Sequence, residues 1–194
     1  HSFPTRRSSD LINIALDNKC FISALSNALI LPDICGKAQF PELAKQTRQR
    51  YIQWYDEYIG QYETDRLGKE NNLPYLSGEV VYNLRCALLH QGNPHINEEK
   101  LDIQYFELVV QTKNRASHFC GSSGIRTDYM SDGTERKTRI LSVSVLDLCY
   151  KLCTCAKHYY NNNKEKFDFF NYNVVNCDFN TSNIFKIKSK IEFE

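Results

Sequence analysis

Two side chains near the middle of the chain have types and spacing suited to acid–base chemistry on an anion without a metal. Arg85 and His90 sit in the run Gly78-Glu79-Val80-Val81-Tyr82-Asn83-Leu84-Arg85-Cys86-Ala87-Leu88-Leu89-His90-Gln91-Gly92-Asn93-Pro94. Histidine titrates near neutral pH and can take or give a proton there. Arginine keeps its charge and presents a planar fork of donors to a developing negative charge. A plainer reading makes Arg85 half of a surface ion pair and His90 a cation resting against the negative end of a helix.

The element that must position them is a helix. Ser77 is a good N-cap, Glu79 lies in the first turn where the helix dipole favours a carboxylate, and Gly92 with Asn93-Pro94 closes the far end. At about 100° per residue, Val80, Val81, Leu84, Ala87 and Leu88 gather on one side, which packs inward. Glu79, Asn83, Cys86 and His90 form a polar stripe, and Arg85 falls roughly 140° round from His90, with Tyr82 and Leu89 between them. A helix this short should not expose a second apolar-aromatic seam. Tyr82 and Leu89 are therefore expected to meet a partner, most simply the same helix of another copy in a homodimer.

At Arg85-Cys86-Ala87-Leu88-Leu89-His90, followed by Gln91-Gly92, the chain resembles the HEPN superfamily, helical bundles whose hallmark is Arg, four to six residues, then His near a helix end. The resemblance implies a mainly α fold, a HEPN-like bundle of four or five helices, often dimeric. It further implies a metal-independent endoribonuclease of the kind found in toxin–antitoxin and phage-defence systems. Arg85 and His90 would be the catalytic pair in a cleft shared by two subunits, with Glu79 and Asn83 as supporting groups. RNA would be cut by attack of the ribose 2′-hydroxyl, leaving a 2′,3′-cyclic phosphate and a 5′-hydroxyl. An antitoxin or nucleotidyltransferase partner is implied in the same way, and no cofactor or metal. The alternative is a non-catalytic HEPN-like module that binds a nucleotide or a partner protein. Cys86 departs from the pattern, since catalytic members usually carry a polar residue directly after the arginine. The rest of the chain resembles an uncharacterised bacterial protein family, which implies no activity.

Other elements can be read around this helix. Apolar residues at helical spacing predict a first helix from Ile12 to Leu31, ended by Pro32, with a turn through Asp33 and Cys35-Gly36-Lys37. Pro41 opens a second helix to about Tyr62, whose stripe Tyr51, Tyr55, Tyr58 and Tyr62, with Trp54, has the width of a buried face. Residues 66–73 read as a polar loop. Ile103–Gln111 and Thr138–Val145 are rich in strand-forming residues and predict a β-hairpin at about 103–145, with a long connection, between the third and fourth main helices. Ser144 caps the fourth helix, Val145 to Asn162, with Leu146, Leu148, Cys149, Leu152, Cys153, Ala156, Tyr159 and Tyr160 on its inner face. Residues 12–175 form one HEPN-like domain, and 176–194 a polar tail in which Lys186, Lys188 and Lys190 guard a strand edge. His95 and His118 read as solvated loop residues.

The chain has 194 residues, with 24 Lys+Arg against 23 Asp+Glu. This balance removes the general basic excess of most nucleic-acid proteins, so any RNA contact must be local. No stretch approaches the roughly 18 apolar residues of a membrane span. With no secretory signal visible, the eight cysteines read as reduced thiols of a cytoplasmic protein. Cys149, Cys153 and Cys155 with His158 sit in a helical pattern, unlike the turns that carry zinc ligands, and Cys149 and Cys153 are expected in the core. Finally, His1-Ser2-Phe3-Pro4-Thr5-Arg6-Arg7-Ser8-Ser9-Asp10-Leu11 is the in-frame translation of a common short-read sequencing adapter. These residues are expected to be foreign to the natural protein, whose own N-terminal part would lie upstream of Ile12.

Overall fold

A computed structural model describes residues 4–64, 75–92, 103–111, 120–169, 174–175 and 186–187. The chain is mainly helical with a small three-stranded sheet. The helices are α1 (Pro4–Asp17), α2 (Phe21–Ala28), α3 (Leu31–Gln39), α4 (Thr47–Tyr58), α5 (Gly78–Cys86, continued by a π turn Ala87–Gln91) and α6 (Val145–Asn162). The strands are β1 (Tyr105–Val109), β2 (Gly121–Tyr129) and β3 (Glu135–Ser144), with a two-residue ladder of β4 (Val174–Val175) on β5 (Lys186–Ile187). None of the described helices is long and apolar enough to cross a membrane. Loop 66–73, Asn93-Pro94, His95, His118, Lys188, Lys190 and most of the tail lie outside the described residues.

The two helices with caps written in the sequence start where expected. Ser77 accepts a hydrogen bond from the Val80 N–H at 3.4 Å and Ser144 from the Asp147 N–H at 3.4 Å. Along α6, Leu148, Cys149, Leu152, Cys153, Ala156 and Tyr159 are buried, as the helical spacing requires. The two cysteines serve there as small core residues.

The first predicted helix is two, α1 and α2, and α3 opens at its last residue, Leu31. Lys19 adopts φ +60°, a left-handed turn that ends α1, and α2 begins at Phe21. Pro32 does not end a helix but stands in the first turn of α3, where its missing N–H costs nothing. Cys35 and Gly36, expected in a turn, are buried within α3. The second helix is shorter than expected, with 3₁₀ turns at Pro41–Leu43 and Gly60–Tyr62 on either side of α4. From Pro4 onward the segment matching the adapter forms the first half of α1, and its Ser9 is buried.

Tyr51, Trp54 and Tyr55 are fully buried, so this part of the aromatic stripe is core, while Tyr62 is 66% exposed. Trp54 stacks on Tyr58 at 5.0 Å and meets Tyr159 of α6 edge-on at 5.9 Å, and Tyr159 in turn meets Phe167 at 5.8 Å. The helices pack as α3 on α4, α4 on α5, and α1, α2 and α3 on α6.

The hairpin is corrected. The two predicted strands do pair, but in parallel, with Tyr105 opposite Ile140 and Val109 opposite Ser144. The antiparallel partner of β3 is β2, which runs through the segment expected to be a connection, giving the order β1-β3-β2. Strand β2 escapes a pattern search because it is largely exposed and carries no apolar alternation. It is held by the edge of β3 and by a tight turn in which Asp132 accepts hydrogen bonds from the Thr134 N–H at 2.9 Å and hydroxyl at 2.6 Å.

Candidate functional site

The start of α5 is fixed by α4. The Gly78 N–H donates to Asp56 Oδ1 at 2.6 Å, and a Cβ on Gly78 would lie 2.6 Å from the Ile52 carbonyl oxygen, so only glycine allows this approach. Burial pushes the Asp56 carboxyl up, and the Gly78 hydrogen bond pulls it partly back. Val80, Val81, Leu84 and Ala87 are buried on the inner face, as expected. Glu79, Asn83 and Cys86 are half-buried along the polar stripe, and His90 at its end is exposed.

Arg85 is turned into its own chain. Its guanidinium lies 2.6 Å from Asp33 Oδ2 in the first turn of α3, with both side chains about 15% exposed. It also lies 5.8 Å from the Tyr82 ring centre and 5.9 Å from that of Tyr51. Burial raises the Asp33 carboxyl above its ordinary range, against the pull of Arg85 and of Arg50. Hydrogen bonding at the pair is incomplete among the described residues: Asp33 Oδ1 and Arg85 Nε are both buried without a partner there.

Glu79 forms an ion pair with Arg48 of α4, and Asn83 donates to the Glu79 carbonyl at 2.9 Å. Glu79 thus reaches α4, whereas this Asn83 bond runs back along α5 itself. Tyr82, expected on an outward seam, is half-buried in its own chain, edge-on to Tyr51 at 5.3 Å with Arg48 and Arg85 each 5.8 Å from its ring centre. Leu89 is half-buried as well. The seam is therefore narrower than the spacing implies.

The end of the helix departs from a regular spiral. From Ala87 to Gln91 the chain makes a π turn, and Gly92 ends it at φ +60°, a left-handed cap open to glycine. A π turn advances fewer degrees per residue than an α-helix, which swings His90 back toward the Arg85 side from the roughly 140° of a regular helix. His90 is brought closer in angle to Arg85, and no hydrogen bond joins them among the described residues.

Sequence reasoning missed Asp33, Arg48 and Tyr51 as partners of this site. A signal for Asp33 existed, because Pro32-Asp33 is a first-turn proline followed by a first-turn acid, the signature of a helix start. The arrangement offers an exposed imidazole and a held guanidinium whose Nε is a buried donor unused among the described residues. Among the described residues no group of three or more His, Cys, Asp or Glu side chains is arranged to hold a metal ion. No protein-family model, curated protein or solved structure matches the chain.

Proposed function

We propose that the protein is a metal-independent endoribonuclease of HEPN type, acting as a homodimer, with His90 as the proton-transfer group and Arg85 as the phosphate-facing cation. The observation that carries this reading is an exposed imidazole at a π-turned helix end, following a guanidinium held by Asp33 and the rings of Tyr51 and Tyr82. π turns recur at functional sites, and a held cation loses little freedom when it meets a phosphate. Glu79 keeps a supporting role by fixing the helix against α4 through Arg48, and Asn83 by bonding back to the Glu79 carbonyl.

The test is RNA cleavage by the purified chain in EDTA. The wild type is expected to cut, and His90→Ala to lose at least about a hundredfold in rate, as for removal of a general acid or base. Stability should change by less than about 0.5 kcal/mol, because His90 is exposed. Intact RNA with the wild type, or undiminished cutting by His90→Ala, would sink the proposal.

One observation favours the non-catalytic module instead: the Arg85 charge is already offset by Asp33 within the same chain. Under that reading His90→Ala and Arg85→Lys alter binding of a nucleotide or partner protein, and RNA stays intact in both.

A further inference from the structure

A second basic cleft, which His90 does not line, lies on the α3–α4 side. A cleft of about 370 Å³ is walled by Lys37 at the end of α3, Phe40, Arg50 of α4, and Lys166, Asp168 and Phe169 after α6. The cations come from three separate elements. A lysine in the last turn of α3 is explained by the helix dipole alone, but the dipole does not account for the convergence of Arg50 and Lys166 on the same space. None of the three forms an ion pair with a carboxylate among the described residues. Lys37 Nζ rests 4.3 Å from the Phe169 ring centre, Lys166 Nζ donates to Gln39 Oε1 at 3.2 Å, and Arg50 Nη1 donates to the Ala44 carbonyl at 2.9 Å. Asp168 is the acid on this wall, leaving the cleft positive in a chain whose charges otherwise balance.

We infer that this cleft binds a small phosphomonoester with a compact apolar or aromatic body. Lys37, Lys166 and Arg50, the last also facing Asp33, leave a cationic surplus over Asp168 that matches a dianion better than a monocarboxylate, and a phosphomonoester is doubly charged above pH of about 6. The Arg50 guanidinium, held by its bond to Ala44, adds a fixed cation for the phosphate. Phe40, Phe169, Ala38 and Pro41 supply an apolar wall for the rest of the ligand. The volume falls in the range of small-molecule sites, about 300–1,000 Å³. Neither Arg85 nor His90 lines the cleft, and its test reads binding, not RNA cleavage.

Phenyl phosphate is the probe, titrated into the full chain by calorimetry, with inorganic phosphate, benzoate and a 5′-phosphorylated oligonucleotide as further arms. Lys37 and Lys166 are exposed, so the double variant Lys37→Gln/Lys166→Gln should keep the fold, checked by circular dichroism. Saturable binding of phenyl phosphate is expected, tighter than phosphate or benzoate and weakening below pH of about 6 as the dianion is protonated. The double variant should lose at least about tenfold in affinity, while Lys157→Gln, on the exposed face of α6, should stay within about twofold. Three outcomes would each overturn the inference: no saturation by millimolar phenyl phosphate, equal affinity in the double variant, or benzoate binding as tightly as phenyl phosphate. Stronger binding of the oligonucleotide than of phenyl phosphate would overturn its small-molecule assignment.

Discussion

Two ion pairs tie distant parts of this chain together, and they differ in kind. Glu63 is fully buried after α4, yet both carboxylate oxygens are used: Oε1 pairs with Lys151 of α6 and Oε2 accepts the Cys120 N–H at 2.7 Å, next to β2. Asp33 and Arg85 are also mostly buried, yet each leaves a polar atom without a partner. The protonation equilibria differ too. Burial works against the Lys151 ammonium, but the hydrogen bond and charge of Glu63 outweigh it and the lysine is raised, so folding favours its charge. Burial of Asp33 outweighs Arg85 and Arg50, so folding disfavours its charge. A satisfied pair is a structural clamp, whereas an unsatisfied one keeps hydrogen-bonding capacity that the fold has not used.

The largest effect should come from the clamp. Glu63→Ala removes the partner of Lys151 and orphans the Cys120 N–H, which joins the sheet to the helices. Because Lys151 is 30% exposed and can reach water, the cost should lie near the lower end for breaking a buried pair, about 3 kcal/mol. Urea denaturation measures it, and a loss below about 1 kcal/mol would remove the contrast with Asp33. The pair also has an alkaline signature. A raised lysine contributes stability that is complete below its unfolded value of 10.5 and is lost as pH rises through the higher folded value. Lys151→Met should abolish that part of the alkaline decline.

The contrast also explains what could be read from the sequence. Helices α5 and α6 were legible because their signals are local: Ser77 and Ser144 are caps beside an apolar repeat. The division of α1 from α2 was not, because it rests on one lysine at positive φ with no glycine or proline to mark it. The role of Pro32 was ambiguous in sequence, since proline both follows helices and opens them. Strand β2 was hidden because Ser122, Ser123, Arg126 and Thr127 face solvent or lie on its rim, and only pairing with β3 makes them a strand. At the candidate site, the inner face of α5 was legible from periodicity. Asp33 was not, because its meeting with Arg85 depends on how α3 crosses the other helices.

A middle-sized effect should come from the backbone that ends the candidate site. Gly92 holds φ +60° with open space around its Cα, so Gly92→Ala meets strain and no clash. The expected cost is about 1 kcal/mol, and Gly92→Asn should recover most of it because asparagine tolerates the left-handed conformation. Thermal unfolding of the two variants separates this from a packing effect. Equal losses would mean that the π turn is held by its side chains and not by its cap, making His90's placement a packing matter like that of the Glu63 clamp.

The smallest effect on stability should come from Asp33→Asn, and its sign with pH is the sharpest test of the comparison. The carboxyl of Asp33 has an unfolded value of 3.8 and a higher folded one. Between those values the folded chain binds more proton than the unfolded chain, so this residue's contribution to stability falls as pH rises through the window. Asparagine cannot titrate, and the difference in unfolding free energy between wild type and variant should therefore shrink as pH rises from below 3.8. Near neutral pH the variant should lie within about 1 kcal/mol of wild type, since removing a charge that folding disfavours offsets much of the loss of Arg85's partner. A loss as large as that of Glu63→Ala, or a difference that grows with pH, would show that Asp33 and Arg85 form a clamp of the same kind. The candidate site would then lose the unsatisfied pair that sets it apart from the rest of the molecule.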